Sequence, residues 1–385
     1  MRVAITTDWL NSFGGAERVL IELHQMFPEA PIYTAVHDPA GLPKAMQGWD
    51  VRTSFLQRVP LARSRHRAFL PLMPLAFEEL DLSAYDVVLT TSSAFAKGVL
   101  TRPDALNICY CYTPPRYLWD LYHEYVRGRS ARAFIAPVAR WLRRRDRVAA
   151  DRVDEFLTTS YEVAGRIRKH YGREAEVIPP PVAVDHFLPN GQAPEDFYLV
   201  VSRLVGYKRV DLAVAVANRL RRRLLVVGEG PERARLRAIA GPTVELLGRL
   251  DDQAVAGLYA RCKALLFPGH EDFGITPVEA QAAGRPVIAY GRGGALETVL
   301  DGETGIFFGE QSVDALADAI SCFEASSFDP ADCRRNAERF ERGEFRRRLG
   351  AAIAARVSAP RVSIPPHAPD APPIGAMAAP AGPPR

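Results

Sequence analysis

No apolar run in this chain approaches the roughly 18 residues that a helix needs to cross a bilayer. The five cysteines, Cys109, Cys111, Cys262, Cys322 and Cys333, form no CxxC pair. An odd count without a pattern suits a reducing compartment. Cys109 and Cys111 alternate within an apparent strand, where packing is a simpler reading than metal binding. No GxGxxG follows the first strand, so the case for a dinucleotide is weak. No Asp-x-Asp pair offers itself to a divalent cation; Glu79-Leu80-Asp81 reads as a helix end. Net charge is only +4 and the pI about 8.8, too little to mark a nucleic-acid partner. The opening residues, MRVAITTDWL, already read as a strand rather than a leader, and a cytoplasmic protein is expected.

What remains is ample for a soluble fold. The 385 residues are 48% hydrophobic and 24% charged, enough for two domains with large cores. Apolar strand patterns at 2–7, 86–91, 105–110 and 155–159 alternate with helical periodicity, which implies a parallel, doubly wound sheet. A second alternating series occupies 197–201, 224–227, 244–246, 264–267, 287–289 and 305–307. Pro179-Pro180-Pro181 and Pro189-Asn190-Gly191 mark a stiff linker between the two. The expected division is an N-terminal domain over 1–187 and a C-terminal one over 191–330. Helices within 331–357 pack back on the first, and a disordered Pro/Ala-rich tail covers 358–385.

Residues 267–298, FPGHEDFGITPVEAQAAGRPVIAYGRGGALET, concentrate the chemistry. A strand ends at Pro268-Gly269, and a helix follows with Thr276 as the expected N-cap and Pro277 at its first position. Glu271 lies in the loop, Glu279 in the first helical turn. From spacing alone, both could be ordinary: Glu279 a dipole residue and Glu271 a solvated one. Their other reading is a pair of charged acceptors for sugar hydroxyls, each bond contributing about 1.5–3 kcal/mol. Arg203 and Lys208, in Ser202-Arg203-Leu204-Val205-Gly206-Tyr207-Lys208-Arg209, supply one forked and one compact cation after a strand. Such a pair neutralises a diphosphate without metal; as isolated charges they would be solvated surface. Gly14-Gly15 follows the first strand and opens a helix, which is either a plain turn or a close approach to a phosphate or sugar.

The Glu271-x7-Glu279 stretch, with Phe273-Gly274 inside it and Glu297 downstream, closely resembles the donor site of retaining glycosyltransferases of family 4, over about residues 1–350. That resemblance implies a GT-B fold, α/β with two doubly wound Rossmann-like domains facing across a cleft. It implies that Glu279 takes ribose hydroxyls and that Glu271 faces the transferred sugar. It makes Arg203 and Lys208 the diphosphate clamp. Gly14, Gly15, Gly228, Arg249, Leu250, Phe273, Gly274, Ile275 and Thr276 become donor-binding positions. Tyr110–Asp120, YCYTPPRYLWD, resembles the subgroup that uses GDP-mannose and puts Tyr112 and Arg116 on the sugar and acceptor side. That subgroup usually has His at 112. A Tyr there donates a hydrogen bond but, with a pKa near 10, is a poor base.

The implied protein moves a hexose, mannose from GDP-mannose, to a glycan or polyprenyl-linked acceptor. It needs no metal and no cofactor beyond the nucleotide-sugar substrate. Its rivals are a GT-B nucleotide-sugar epimerase and a non-catalytic nucleotide- or glycan-binding subunit that lost activity through Tyr112. Two basic segments, 51–77 and 127–147, interleave arginines with apolar side chains. Either they lie peripherally on an anionic membrane, or they pack their apolar stripe on their own domain.

Overall fold

The computed structural model describes residues 1–126 and 129–358, the side chains of 129–134 excepted. One sheet holds β1 (Val3–Thr7), β2 (Ile32–Thr34), β3 (Val51–Thr53), β4 (Val87–Ser92), β5 (Leu106–Cys111), β6 (Glu155–Thr158) and β7 (Glu176–Val177), in the order β3-β2-β1-β4-β5-β6-β7. The other holds β8 (Tyr198–Val201), β9 (Leu224–Val227), β10 (Val244–Gly248), β11 (Leu265–Phe267), β12 (Val287–Tyr290) and β13 (Gly305–Phe308), in the order β10-β9-β8-β11-β12-β13. All these pairings are parallel. Parallel strands need crossovers, and helices on both faces leave the strands buried on both sides. Alternate residues therefore feed two cores per sheet. In the first, Ala4 and Val88 face one way while Ile5 and Leu89 face the other. In the second, Leu199 and Leu225 oppose Val200 and Val226. The doubly wound architecture matches the sequence reading, and each anticipated strand lies within two residues of its expected ends.

The first domain ends earlier than residue 187. Val182, Val184 and Phe187 already pack in the second domain's core. Helix Pro330–Glu338 also stays there, its Ala337 buried in the same core, instead of returning to the first domain. Among the described residues only helix Arg342–Ser358 crosses back, inserting Phe345, Leu349 and Ile353 among β1, β4 and β5 residues. The two chain crossings run side by side: the Val182 amide donates to the Phe340 carbonyl at 2.8 Å. Residues 359–385, where most of the tail was expected, lie outside the described residues.

The basic segments behave differently from each other. Residues 51–77 are not one helix but a short strand, two 3-10 turns and the start of helix Met73–Glu78. Leu56, Met73 and Phe77 are buried there and Phe55, Phe69 and Leu70 pack against the same core, while Arg63, Arg65 and Arg67 are exposed. Within 127–147, residues 127–128 lie outside the described residues; the helix runs Arg129–Asp151. It buries Ala139, Leu142, Asp146, Ala149 and Ala150. Its apolar stripe faces outward instead: Ile135, Val138, Trp141 and Val148 are 39–45% exposed beside Arg140, Arg144 and Arg147.

Candidate active site

The carboxyl ends of β1, β4, β8, β9 and β11 open towards the space between the domains, where ligands of doubly wound sheets bind. Two adjoining cavities fill it, of about 540 and 500 Å3. Both are walled by Gly15, Arg203, Ile275 and Thr276. The first adds Gly14, Gly228, Arg249, Leu250 and Glu279; the second adds Tyr112, Lys208, Glu271, Phe273 and Gly274. Of the residues anticipated as site residues, Arg116 alone lines neither.

Local geometry explains the glycines at two of these positions. A Cβ at Gly15 would meet the Ile275 Cδ1 of the facing domain at 3.0 Å, so a side chain here would have to push that methyl aside. Gly228 has φ +131°, and a Cβ would sit 1.9 Å from the Ser202 carbonyl oxygen. This turn brings the end of β9 onto the Ser202–Lys208 loop.

Helix Ile275–Ala282 starts earlier than the sequence suggested. Gly274, in the left-handed region, is its N-cap; Thr276 and Pro277 lie inside, and no side chain caps it. Glu279 is consequently its fifth residue, not a first-turn residue, and points inward. Only 5% exposed, it accepts from Arg18 Nη1 at 2.9 Å and from the Tyr259 hydroxyl at 3.0 Å. Burial raises its carboxyl pKa, against the opposing pull of Arg18 and the Tyr259 bond. The reading of Glu279 as an ordinary dipole residue does not survive this burial. Arg18 comes from the first domain, on helix Gly15–Met26, and also lies 3.8 Å from Asp252.

Glu271 pairs with the Lys208 ammonium. Burial alone would lower the Lys208 pKa, but the neighbouring Glu271 carboxylate outweighs it and the amine is held charged. Arg203 is exposed in the cleft between both cavities. Free amides at the start of helix Ile275–Ala282, Arg203 and Lys208 thus surround one spot, an arrangement that attracts an anion. Tyr112 is tied down: its hydroxyl donates to the Ala16 carbonyl at 2.9 Å, and burial pushes its pKa well above 10. Arg116 lies in the interdomain wall. It pairs with Asp272 at 3.2 Å and covers the Tyr207 ring. Glu79 ends helix Met73–Glu78 and Leu80 is buried beside it, as a helix end would place them.

Arg18, Tyr259, Asp272 and Arg166 escaped sequence reasoning. Arg18 meets a partner 261 positions away, and no spacing signals such a contact.

Two family models match adjacent parts of the chain: "Glycosyltransferase Family 4" over residues 13–186 and "Glycosyl transferases group 1" over 187–340. A GDP-mannose-dependent alpha-(1-6)-phosphatidylinositol monomannoside mannosyltransferase of Mycobacterium tuberculosis is 32% identical over 216 residues, 48% of this chain and 55% of the relative. A glycogen synthase of the same organism is 34% identical over 151 residues, 36% of each chain. The chain spans about half the length, or less, of these curated relatives. Among solved structures, sucrose-phosphate synthase from Thermosynechococcus elongatus aligns with a TM-score of 0.71 at 19% identity, covering 94% of this chain and all of that one. A lipopolysaccharide outer core galactosyltransferase aligns at 0.66 and 17%, over 92% and 100%. With a cleft of this make-up between two such domains, and with the two models meeting near the interdomain crossing, the chain joins a glycosyltransferase family 4 domain to a glycosyl transferases group 1 domain and has the GT-B fold.

Proposed function

We propose that the protein is a retaining, metal-independent hexosyltransferase that moves mannose from GDP-mannose to a glycan or polyprenyl-linked glycan acceptor in cell-surface polysaccharide or glycolipid synthesis. The observation that carries this reading is the convergence of Arg203, Lys208, Glu271 and Glu279 on one cleft, at the start of helix Ile275–Ala282. The nucleoside lies in the first cavity with its ribose on Glu279 and its base against Leu250 and the backbone near Arg249. The diphosphate meets Arg203, Lys208 and the helix amides, which stabilise the charge that develops as it leaves. The hexose extends into the second cavity, held by Glu271 and the backbone at Phe273–Gly274. The acceptor hydroxyl approaches the same face that the diphosphate vacates. The departing phosphate takes the proton, so a Tyr at 112 suffices to shape the wall. The mannosyltransferase among the relatives is named GDP-mannose-dependent, which supports GDP-mannose as the donor here.

The site of action is the cytoplasmic face of an anionic membrane. The outward apolar stripe of helix Arg129–Asp151, flanked by arginines, supports that placement, since such a face inserts shallowly among lipid headgroups. No described helix is long and apolar enough to cross the membrane.

A panel of nucleotide-sugars tests the function, read by thermal shift and by released nucleotide with EDTA present. At 100 times its dissociation constant the donor should add about 2.7 kcal/mol of stability. GDP-mannose should raise the melting temperature most and turn over in EDTA. Turnover that vanishes in EDTA and returns with magnesium, or a panel without any binder, would overturn the reading.

A further inference from the structure

The loop that carries Glu271 is held from the opposite domain. Helix Tyr161–Tyr171 of the first domain has Ser160 as its N-cap, and the Ser160 hydroxyl accepts from the Val163 amide while donating to the Asp272 carbonyl across the cleft. The next two amides, of Tyr161 and Glu162, donate at 3.1 and 3.3 Å to the carboxylate of Glu297, a second-domain residue. A helix start leaves such amides without partners of its own. Here the partner belongs to the other domain, and an anion suits the positive end of the helix dipole. Arg166, one turn into the helix and buried, joins the Asp272 carboxylate, where Arg116 also lands. Glu162 lies 2.9 Å from Arg166 and accepts a further contact from His270 at 3.1 Å.

These contacts bracket Glu271 on both sides in sequence, at His270 and Asp272. The nucleotide cavity is formed chiefly by second-domain residues and shares none of these contacts. We propose that Glu297, Asp272 and Arg166 are positioning residues that form an interdomain latch. Docking the His270–Gly274 loop on the capped start of helix Tyr161–Tyr171 assembles the sugar half of the site, and the nucleotide half exists without it. This rests on the proposed function for its chemistry, but the latch itself does not.

Two variants of the full chain test it, Glu297→Ala and Asp272→Asn, with Glu297→Gln as the conservative control. Small-angle scattering reads domain separation, calorimetry reads GDP affinity, and transfer is assayed with the active donor. Both variants should widen the scattering envelope and lower kcat at least tenfold, with GDP affinity within threefold of wild type. Glu297→Gln, which keeps one acceptor oxygen, should recover part of the rate. An unchanged envelope, an unchanged kcat, or GDP affinity falling in step with kcat would overturn the latch. If the wild type binds no nucleotide, the functional reading fails, while the scattering comparison still decides whether these residues close the domains.

Discussion

Replacing Glu279 by Gln separates its two conceivable duties, holding a ribose and bracing Arg18. A carboxylate offers about four acceptor sites, two on each oxygen. Arg18 occupies one site on Oε1 and Tyr259 one on Oε2. Two remain, matching two vicinal ribose hydroxyls. A hydrogen bond to a charged group contributes about 1.5–3 kcal/mol and a neutral one about 0.5–1.5. Losing the charge but keeping the amide oxygen should therefore cost about 1–1.5 kcal/mol per bond, and about 2–3 for the pair. At tenfold per 1.4 kcal/mol, GDP should bind about 30- to 150-fold more weakly. Calorimetric titration of GDP into both proteins measures this directly. Stability should change in a different direction with pH. Burial raises the Glu279 carboxyl above its ordinary 4.5, so the native state keeps that proton longer than the unfolded chain. The wild type therefore loses stability as pH rises past 4.5, and the Gln variant does not share that loss. A GDP affinity within twofold of wild type would refute the ribose assignment and leave Glu279 as a strut to Arg18.

Lys208→Ala should lower kcat more than it weakens GDP binding, because the cation matters most as charge builds on the leaving group; equal kcat in steady-state assays would remove Lys208 from the mechanism. Tyr112→Phe deletes the bond to the Ala16 carbonyl and should cost about 0.5–1.5 kcal/mol in denaturant melts, with turnover retained within tenfold. Arg140→Ser with Arg144→Ser should weaken binding to phosphatidylserine vesicles by about 1 kcal/mol per residue near the surface; wild type that ignores such vesicles at low salt would undo the membrane placement. The Glu162 carboxyl is held down to about 2, first by the His270 bond and further by Arg166. Its stabilisation is present above the ordinary 4.5 and disappears as pH falls towards 2, so Glu162→Gln should flatten the melting-temperature profile across that window.

The parallel cores and the two-domain division were legible in the sequence because hydrophobic periodicity is a local property of consecutive residues. β2, β3 and β7, with two or three residues each, are too short for alternation to register. The site was legible where one segment supplies it: Glu271, Gly274 and Glu279 lie within nine residues, and Arg203 and Lys208 within six. Yet even there the chain left the helix start ambiguous, and a glycine at positive φ, not Thr276, ended the loop. Which charges oppose one another was decided only in three dimensions. Arg18 on Glu279, Arg166 and Arg116 on Asp272, and Glu297 on the start of helix Tyr161–Tyr171 all join residues more than a hundred positions apart. A polar side chain takes whatever partner the packing of the domains brings within reach, and that packing follows from both cores at once.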